Sequence, residues 1–352
     1  MNASPIQTLE IAQPDDWHLH LREGQALRDV VHASAAWAAR ALVMPNLSPP
    51  VTTVSRALAY RQEILAALGG ATDFNPQMTL YLTDNTPVEE VVSAAQTENL
   101  LAFKLYPAGA TTNSDRGVTD MARVDRALEA MARHGVVLCV HGEVTRGEVD
   151  VFDREARFVE EVLSPLRRRH PGLRVVLEHI TTAEGASYVA ESEPGIAATI
   201  TPQHLLLSRN ALFQGGLRPH AYCLPVLKRE SHRQALLKAA TSASPRFFLG
   251  TDSAPHARSA KEADCGCAGC YTAPHALALY AKAFEQMGAL DRLEPFASHF
   301  GADFYGLPRT ERRVRLTRAP YTVPDRLPYC GETIVPLMAG QTLDWTLERD
   351  PD

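Results

Sequence analysis

Apolar residues along the chain gather into short, nearly continuous runs, each followed by a longer stretch in which they return every three or four positions. Eight runs read as strands: DDWHLHL at 15–21, RALVMPN at 40–46, QMTLYLT at 77–83, LLAFKLYP at 100–107, VVLCVHGE at 136–143, RVVLEHI at 174–180, IAATITP at 196–202 and RFFLGTDS at 246–253. Segments between them, such as VSRALAYRQEILAALG, MARVDRALEAMARHG and DREARFVEEVLSPLRRRHPG, carry helical spacing and close on Gly or Pro. Strands that alternate with helices pair in parallel, and runs apolar throughout predict strands covered on both faces. Eight such units predict an α/β protein built as a single (β/α)8 TIM barrel, with the helices as its outer ring.

The rival architecture, a doubly wound open sheet, wants a GxGxxG turn after its first strand when it binds dinucleotides, and none follows DDWHLHL. No Ser/Gly-rich linker, internal repeat or low-complexity tract divides the 352 residues. The expectation is one domain over 1–352, with the barrel at about 14–305 and a short irregular or β-containing tail at about 306–352, rich in Pro, Thr and Arg.

Composition narrows the partners. With 45% hydrophobic and 22% charged residues the chain can bury a large core without disulfides. A formal net charge of −6 argues against a surface that grips phosphate backbones or anionic lipid. The start MNASPIQTLEIAQPDDW lacks the basic residues and apolar run of a secretory signal, and no stretch approaches the ~18 apolar residues of a membrane span. A cytoplasmic protein acting on a small molecule, with no nucleic-acid or membrane partner, is expected. Of six cysteines, Cys265, Cys267 and Cys270 crowd into DCGCAGC. That spacing lacks a nearby fourth cysteine and departs from paired C-x2-C ribbons, so reduced, oxidation-prone thiols are expected rather than a structural zinc.

The chemistry lies at the strand ends, which converge on one face of a barrel however distant they are in sequence. His18 and His20 close the first strand, Lys104 the fourth, His141 the fifth, His179 the sixth and Asp252 the eighth. A His-x-His pair puts two imidazoles on one side of a pleat, suited to chelation. A lone strand-end histidine is usually structural, and His32, His134, His170, His204 and His275 are read that way. Four histidines and an aspartate at the same end of the barrel point instead to a metal site. These donors suit zinc best, although cobalt, manganese or iron could use them. One ion would leave donors over, whereas two ions sharing a bridge would use them all. An ammonium aimed at two dications is repelled by several kcal/mol, on the order of the Coulomb energy at short range. Lys104 must therefore be neutral, displaced or modified.

HLHLREG, VMPN, FKLYPAGATTNS, CVHGE, EHITT, GTDSAPH and the CGCAGC loop together resemble the dihydroorotase signature of the amidohydrolase superfamily, in order from about residue 15 to 305. The resemblance implies an enzyme that interconverts N-carbamoyl-L-aspartate and L-dihydroorotate with two Zn2+ per subunit, in the short bacterial form. It implies that Lys104 reacts with CO2 to an N6-carboxylysine, a bridging anion that removes the repulsion. One zinc would then be held by His18, His20, Lys104 and Asp252, the other by Lys104, His141 and His179, with a metal-bridging hydroxide as nucleophile and Asp252 as general acid and base. Arg22, Asn46 and His256 match the family's carboxylate grip, and a guanidinium fork suits that task physically. Leu224 and Ala268 match positions that bond the ring through backbone atoms, and Thr111 and Thr112 match a flexible loop that closes over substrate. A homodimer is implied as well. Two alternatives stay open: another cyclic amidohydrolase, hydantoinase- or dihydropyrimidinase-like, and a metal-free homologue acting as an assembly partner. The first usually carries an extra β-sandwich made from both chain ends, for which about fourteen residues before the first strand are too few.

Overall fold

The computed structural model describes residues 7–70 and 73–348; residues 1–6, 71–72 and 349–352 of the expected 1–352 span lie outside the described residues. After strand β1 (Thr8–Ala12), strand and helix alternate through β2 (Asp15–Leu19), β3 (Arg40–Val43), β4 (Asn75–Leu82), β5 (Leu100–Leu105), β6 (Val137–His141), β7 (Val175–Glu178), β8 (Ile196–Ile200) and β9 (Phe247–Leu249). Among the described residues β2 to β9 form one eight-stranded parallel sheet in sequence order, the (β/α)8 barrel the apolar pattern predicts. The helices begin and end as their sequences dictate. Thr53 caps Val54–Ala67 by accepting from the Arg56 N–H at 3.3 Å, and Gly135 ends Asp125–His134 at a φ of +72°.

The ring closes between β9 and β2 without a full ladder. Leu19 and Ser253 form an isolated parallel bridge, the Asp252 N–H donates to His18 O at 2.9 Å, and the His20 N–H donates to Ser253 O at 3.1 Å. Buried Asp16 ties the same seam, accepting from the Thr251 N–H at 2.8 Å and the Thr251 hydroxyl at 2.6 Å. Three of the strand-end residues singled out in the sequence, His18, His20 and Asp252, therefore sit on the closing seam.

Side chains two residues apart on a strand share a face, so the barrel interior is layered. Ala102, Cys139, Val176 and Ala197 pack in one apolar cluster with Trp17, Phe248 and Tyr305. Two residues further along the same strands stand Lys104, His141, Glu178 and Thr199, all buried. The floor is apolar and the mouth polar. Trp17 fills the floor, stacked on Tyr305 with ring centres 4.5 Å apart. Such an aromatic buries roughly 150–250 Å2, worth on the order of 4–6 kcal/mol at about 25 cal/mol per Å2. Gly301 comes so near that a Cβ there would lie 1.9 Å from Trp17 Nε1, so glycine alone fits. Trp17 and His18 are adjacent yet both serve the interior, which a regular strand forbids. A register shift between Asp16 and Leu19 makes this possible.

Beyond the barrel lie β10 (Arg313–Thr317), β11 (Tyr321–Thr322), β12 (Leu327–Tyr329), β13 (Glu332–Ile334), β14 (Thr342–Leu343) and β15 (Thr346–Leu347). The tail is thus β-built rather than irregular. Its strand β10 pairs antiparallel with β1, Thr8 opposite Thr317 and Ala12 opposite Arg313, and with β15 on its other side. Segments from the two ends of the described chain share this small sheet. Among the described residues no helix is long and apolar enough to cross a membrane.

Candidate active site

The polar mouth gathers the side chains singled out by sequence. His18 Nε2 and His20 Nε2 lie 3.5 Å and 3.1 Å from Asp252 Oδ1, and one ligand atom from each of these three residues falls within 4.8 Å of the others. His179 continues the cluster, its ring centre 4.9 Å from that of His18 and 4.8 Å from that of His141. Lys104 is wholly buried, with Nζ 5.1 Å from the centre of the Tyr106 ring. His20 Nδ1, His179 Nδ1 and Lys104 Nζ are buried with no hydrogen-bond partner among the described residues. Each such orphan is unfavourable by about 1–3 kcal/mol. Convergent nitrogen and carboxylate donors of this kind fit divalent cations, and the orphaned atoms mark where further ligation would be gained.

Two carboxylates that escape the sequence reading orient the imidazoles. The His18 Nδ1–H donates to Glu178 Oε2 at 2.8 Å, which also accepts the Thr199 hydroxyl at 2.6 Å. The His141 Nε2–H donates to Glu143 Oε2 at 2.8 Å. Each bond fixes a tautomer and leaves the opposite ring nitrogen bare, as a metal ligand requires. The signal is present in the motifs themselves, in the Glu before His179 in EHI and the Glu two residues after His141 in HGE.

Electrostatics favour the ligating forms. Burial, followed by the charge of Lys104, holds His18 and His179 well below the ordinary imidazole value. Burial also lowers His20, against the opposing hydrogen bond to Asp252. Burial lowers Lys104 too, against the pull of Glu178. Burial would raise Asp252, but the hydrogen bond from His20 and the electrostatic influence of His18, His20 and Lys104 outweigh that and hold it below the ordinary carboxylate value.

A small cavity, of about 20 Å3, opens above this cluster. His18, His20, His141, His179 and Asp252 reach it from the barrel, and Arg22, Asn46, Leu224 and Ala268 line it from the loops. Lys104 and His256 are not on its surface. Lys104 lies deeper, and His256 braces Arg22, whose Nη2 donates to His256 Nε2 at 3.1 Å while Nε donates to Pro255 O at 3.2 Å. Burial, then the Arg22 charge, pushes His256 down to about 2, so it is a neutral acceptor. Thr111 and Thr112 also line the cavity. Their loop lies folded over it, with Asn46 Nδ2 donating to Thr112 O at 3.1 Å, Asn113 Nδ2 to Asn46 O at 3.0 Å, and the Thr112 hydroxyl reaching Ala268 O at 3.5 Å.

Backbone strain is present at the same place. Arg22, His179 and Asp252 have φ of +64°, +39° and +47°. For residues with a Cβ this region is unfavourable by roughly 1–2 kcal/mol each. The cysteine loop is spread out, with Cys265 exposed, Cys267 half-buried and Cys270 buried, all as free thiols.

No protein-family model matches the chain. It is 62% identical over 339 residues to a dihydroorotase of Cupriavidus metallidurans, covering 96% of this chain and 98% of that one. Among solved structures it is similar to a dihydroorotase from Campylobacter jejuni, with a TM-score of 0.90, 33% identity, and coverage of 99% of this chain and 100% of that chain. It is similar also to a Saccharomyces cerevisiae dihydroorotase in complex with 5-fluoroorotic acid, with a TM-score of 0.89, 30% identity and the same coverage.

Proposed function

The chain belongs to the dihydroorotase family, cyclic amidohydrolases of pyrimidine biosynthesis, and from that premise we propose that its barrel mouth opens L-dihydroorotate to N-carbamoyl-L-aspartate and closes it again with two zinc ions. The observation that carries the proposal is one cavity in which four buried imidazoles and Asp252 face a half-buried, neutrally braced arginine. His18, His20 and Asp252 would hold one ion, His141 and His179 the other. Lys104 would bridge them. Burial lowers its amine toward the neutral form that adds to CO2. An N–C bond forms, a proton leaves, and the resulting carbamate anion supplies oxygen ligands where Nζ has no partner among the described residues. When bound, a zinc pair polarises a carbonyl and lowers the pKa of water toward neutrality.

The protein's own groups do the rest. Arg22 offers its remaining N–H groups to the substrate carboxylate, with His256 holding the guanidinium in place and Asn46 beside it. The yeast relative's complex with 5-fluoroorotic acid, a carboxylated pyrimidine, supports that assignment. Backbone atoms of Leu224 and Ala268 meet the ring, and the Thr111–Thr112 loop excludes water. Asp252, anionic and within reach of His20, takes a proton at a carboxylate oxygen during attack on the amide carbon and returns it to the leaving ring nitrogen. Ring closure reverses these transfers. Acidity should favour closure and alkalinity opening.

A hydantoinase-like reading has no use for Arg22, since hydantoin and dihydrouracil lack a carboxylate. A non-catalytic reading leaves six retained donors without a purpose. The test is to purify the protein without chelators, count its metals, and follow loss of dihydroorotate beside hydantoin and dihydrouracil. Selective dihydroorotate turnover with two metals per chain is expected. Equal turnover of the uncharged rings, or two bound metals with no turnover, would replace the proposal.

A further inference from the structure

Tyr106 follows β5, two residues past Lys104, and its ring forms part of the cavity wall. The ring is held on several sides: its centre lies 5.0 Å from that of Tyr81 and 6.3 Å from that of His141, with Lys104 Nζ 5.1 Å away. Its neighbour Tyr81 spends its hydroxyl on the covering loop, donating to Asn113 O at 3.2 Å. The Tyr106 hydroxyl is buried and has no hydrogen-bond partner among the described residues. Buried tyrosine hydroxyls are normally paired, and packing alone would be served as well by phenylalanine.

We propose that Tyr106 is a catalytic residue, its phenolic O–H donating a hydrogen bond to the carbonyl oxygen of the ring amide as negative charge grows there during attack. The assignment rests on the reading of this cavity as the dihydroorotate site. Position is consistent with that oxygen. The Tyr106 ring centre lies 5.1 Å from Lys104 Nζ and 6.3 Å from the His141 ring, beside the imidazole cluster at which the amide would be attacked. Chemistry agrees with position. A phenol at neutral pH is a single neutral donor, and one locked by its ring contacts needs no rearrangement when charge develops. A donor idle before substrate arrives and satisfied most fully at the transition state acts on turnover rather than on binding.

Tyr106→Phe keeps the ring and its contacts and removes only the hydroxyl. Steady-state kinetics on dihydroorotate should show kcat reduced by roughly 10²-fold, with KM changed less than about threefold and metal content and melting temperature equal to those of the unaltered protein. An unchanged kcat, a loss expressed only in KM, or a loss in proportion to missing metal would overturn the assignment. The unaltered protein is the control for the underlying reading: if it turns over dihydroorotate while Tyr106→Phe does so equally well, Tyr106 alone is misassigned, and if it is inactive with metal bound, the site reading itself falls.

Discussion

Glu178→Gln separates the role of a charge from the role of a shape. Glu178 Oε2 accepts both the His18 Nδ1–H at 2.8 Å and the Thr199 hydroxyl at 2.6 Å, and a glutamine amide oxygen can take the same two bonds. Its NH2 group then falls where Oε1 has no partner among the described residues, so the count of bonds is preserved and only the negative charge is lost. A charge-assisted bond contributes about 1.5–3 kcal/mol against roughly 0.5–1.5 for a neutral one. The difference, on the order of 1–2 kcal/mol, should be felt in His18 basicity and hence in metal affinity, which orienting groups tune by about 10- to 100-fold. Stability of the metal-free protein should move the other way or not at all. Burial raises the Glu178 pKa, so the folded state holds its proton more tightly than the unfolded chain, and the ionised form opposes folding above the ordinary carboxylate range. The assay is zinc binding in competition with a chromophoric chelator, paired with calorimetric melting of the stripped protein. Zinc affinity within about twofold of the unaltered protein, or a fall in apoprotein stability as large as the loss of binding energy, would refute the reasoning.

Lys104→Ala should lose bound metal and lower turnover by at least about 10³-fold, given the several kcal/mol such ions supply; metal analysis and kinetics with added acetate or propionate check it, since a short carboxylate filling the vacated bridge should restore part of both. Arg22→Lys keeps the charge but not the fork that spans Pro255 O and His256, so KM for dihydroorotate should rise roughly 10- to 100-fold with kcat less affected. Acid should destabilise the fold through His204, which is buried against the Thr201 hydroxyl and Pro225 O and lowered by burial from 6.5 to about 4. The unfolded chain takes up that proton first, so stability is complete above pH 6.5 and falls by roughly 3 kcal/mol on the way to about pH 4. Chemical denaturation of His204→Gln across that range should show a correspondingly flatter slope.

The barrel was legible because most strands are nearly continuous apolar runs that must be covered on both faces; seven of the eight runs contain the strand now seen, and the third, read as 77–83, misses the first two residues of Asn75–Leu82. The convergence of His18, His20, His141, His179 and Asp252 on one cavity was legible because barrel topology converts sequence position at a strand end into spatial proximity. Glu178 and Glu143 were not, because a buried acid inside an apolar run carries no local sign of the imidazole it faces; only the register that sets His141 beside Glu178 places it at the mouth. Strand β1 was invisible for a related reason. Five residues of mixed polarity become a strand only through a partner some three hundred residues away, at Arg313–Thr317. Leu224 and Ala268 line the cavity, a place that their apolar side chains do not announce and that only the resemblance to the family suggested.

The left-handed backbone at Arg22, His179 and Asp252 sets selection for durability against selection for turnover. Glycine at any of the three would relax the main chain and remove a cavity-lining side chain together. A laboratory lineage chosen for heat resistance alone should accumulate replacements there while catalysis decays, and one chosen for both should leave these positions untouched and gain its toughness in distant parts of the molecule.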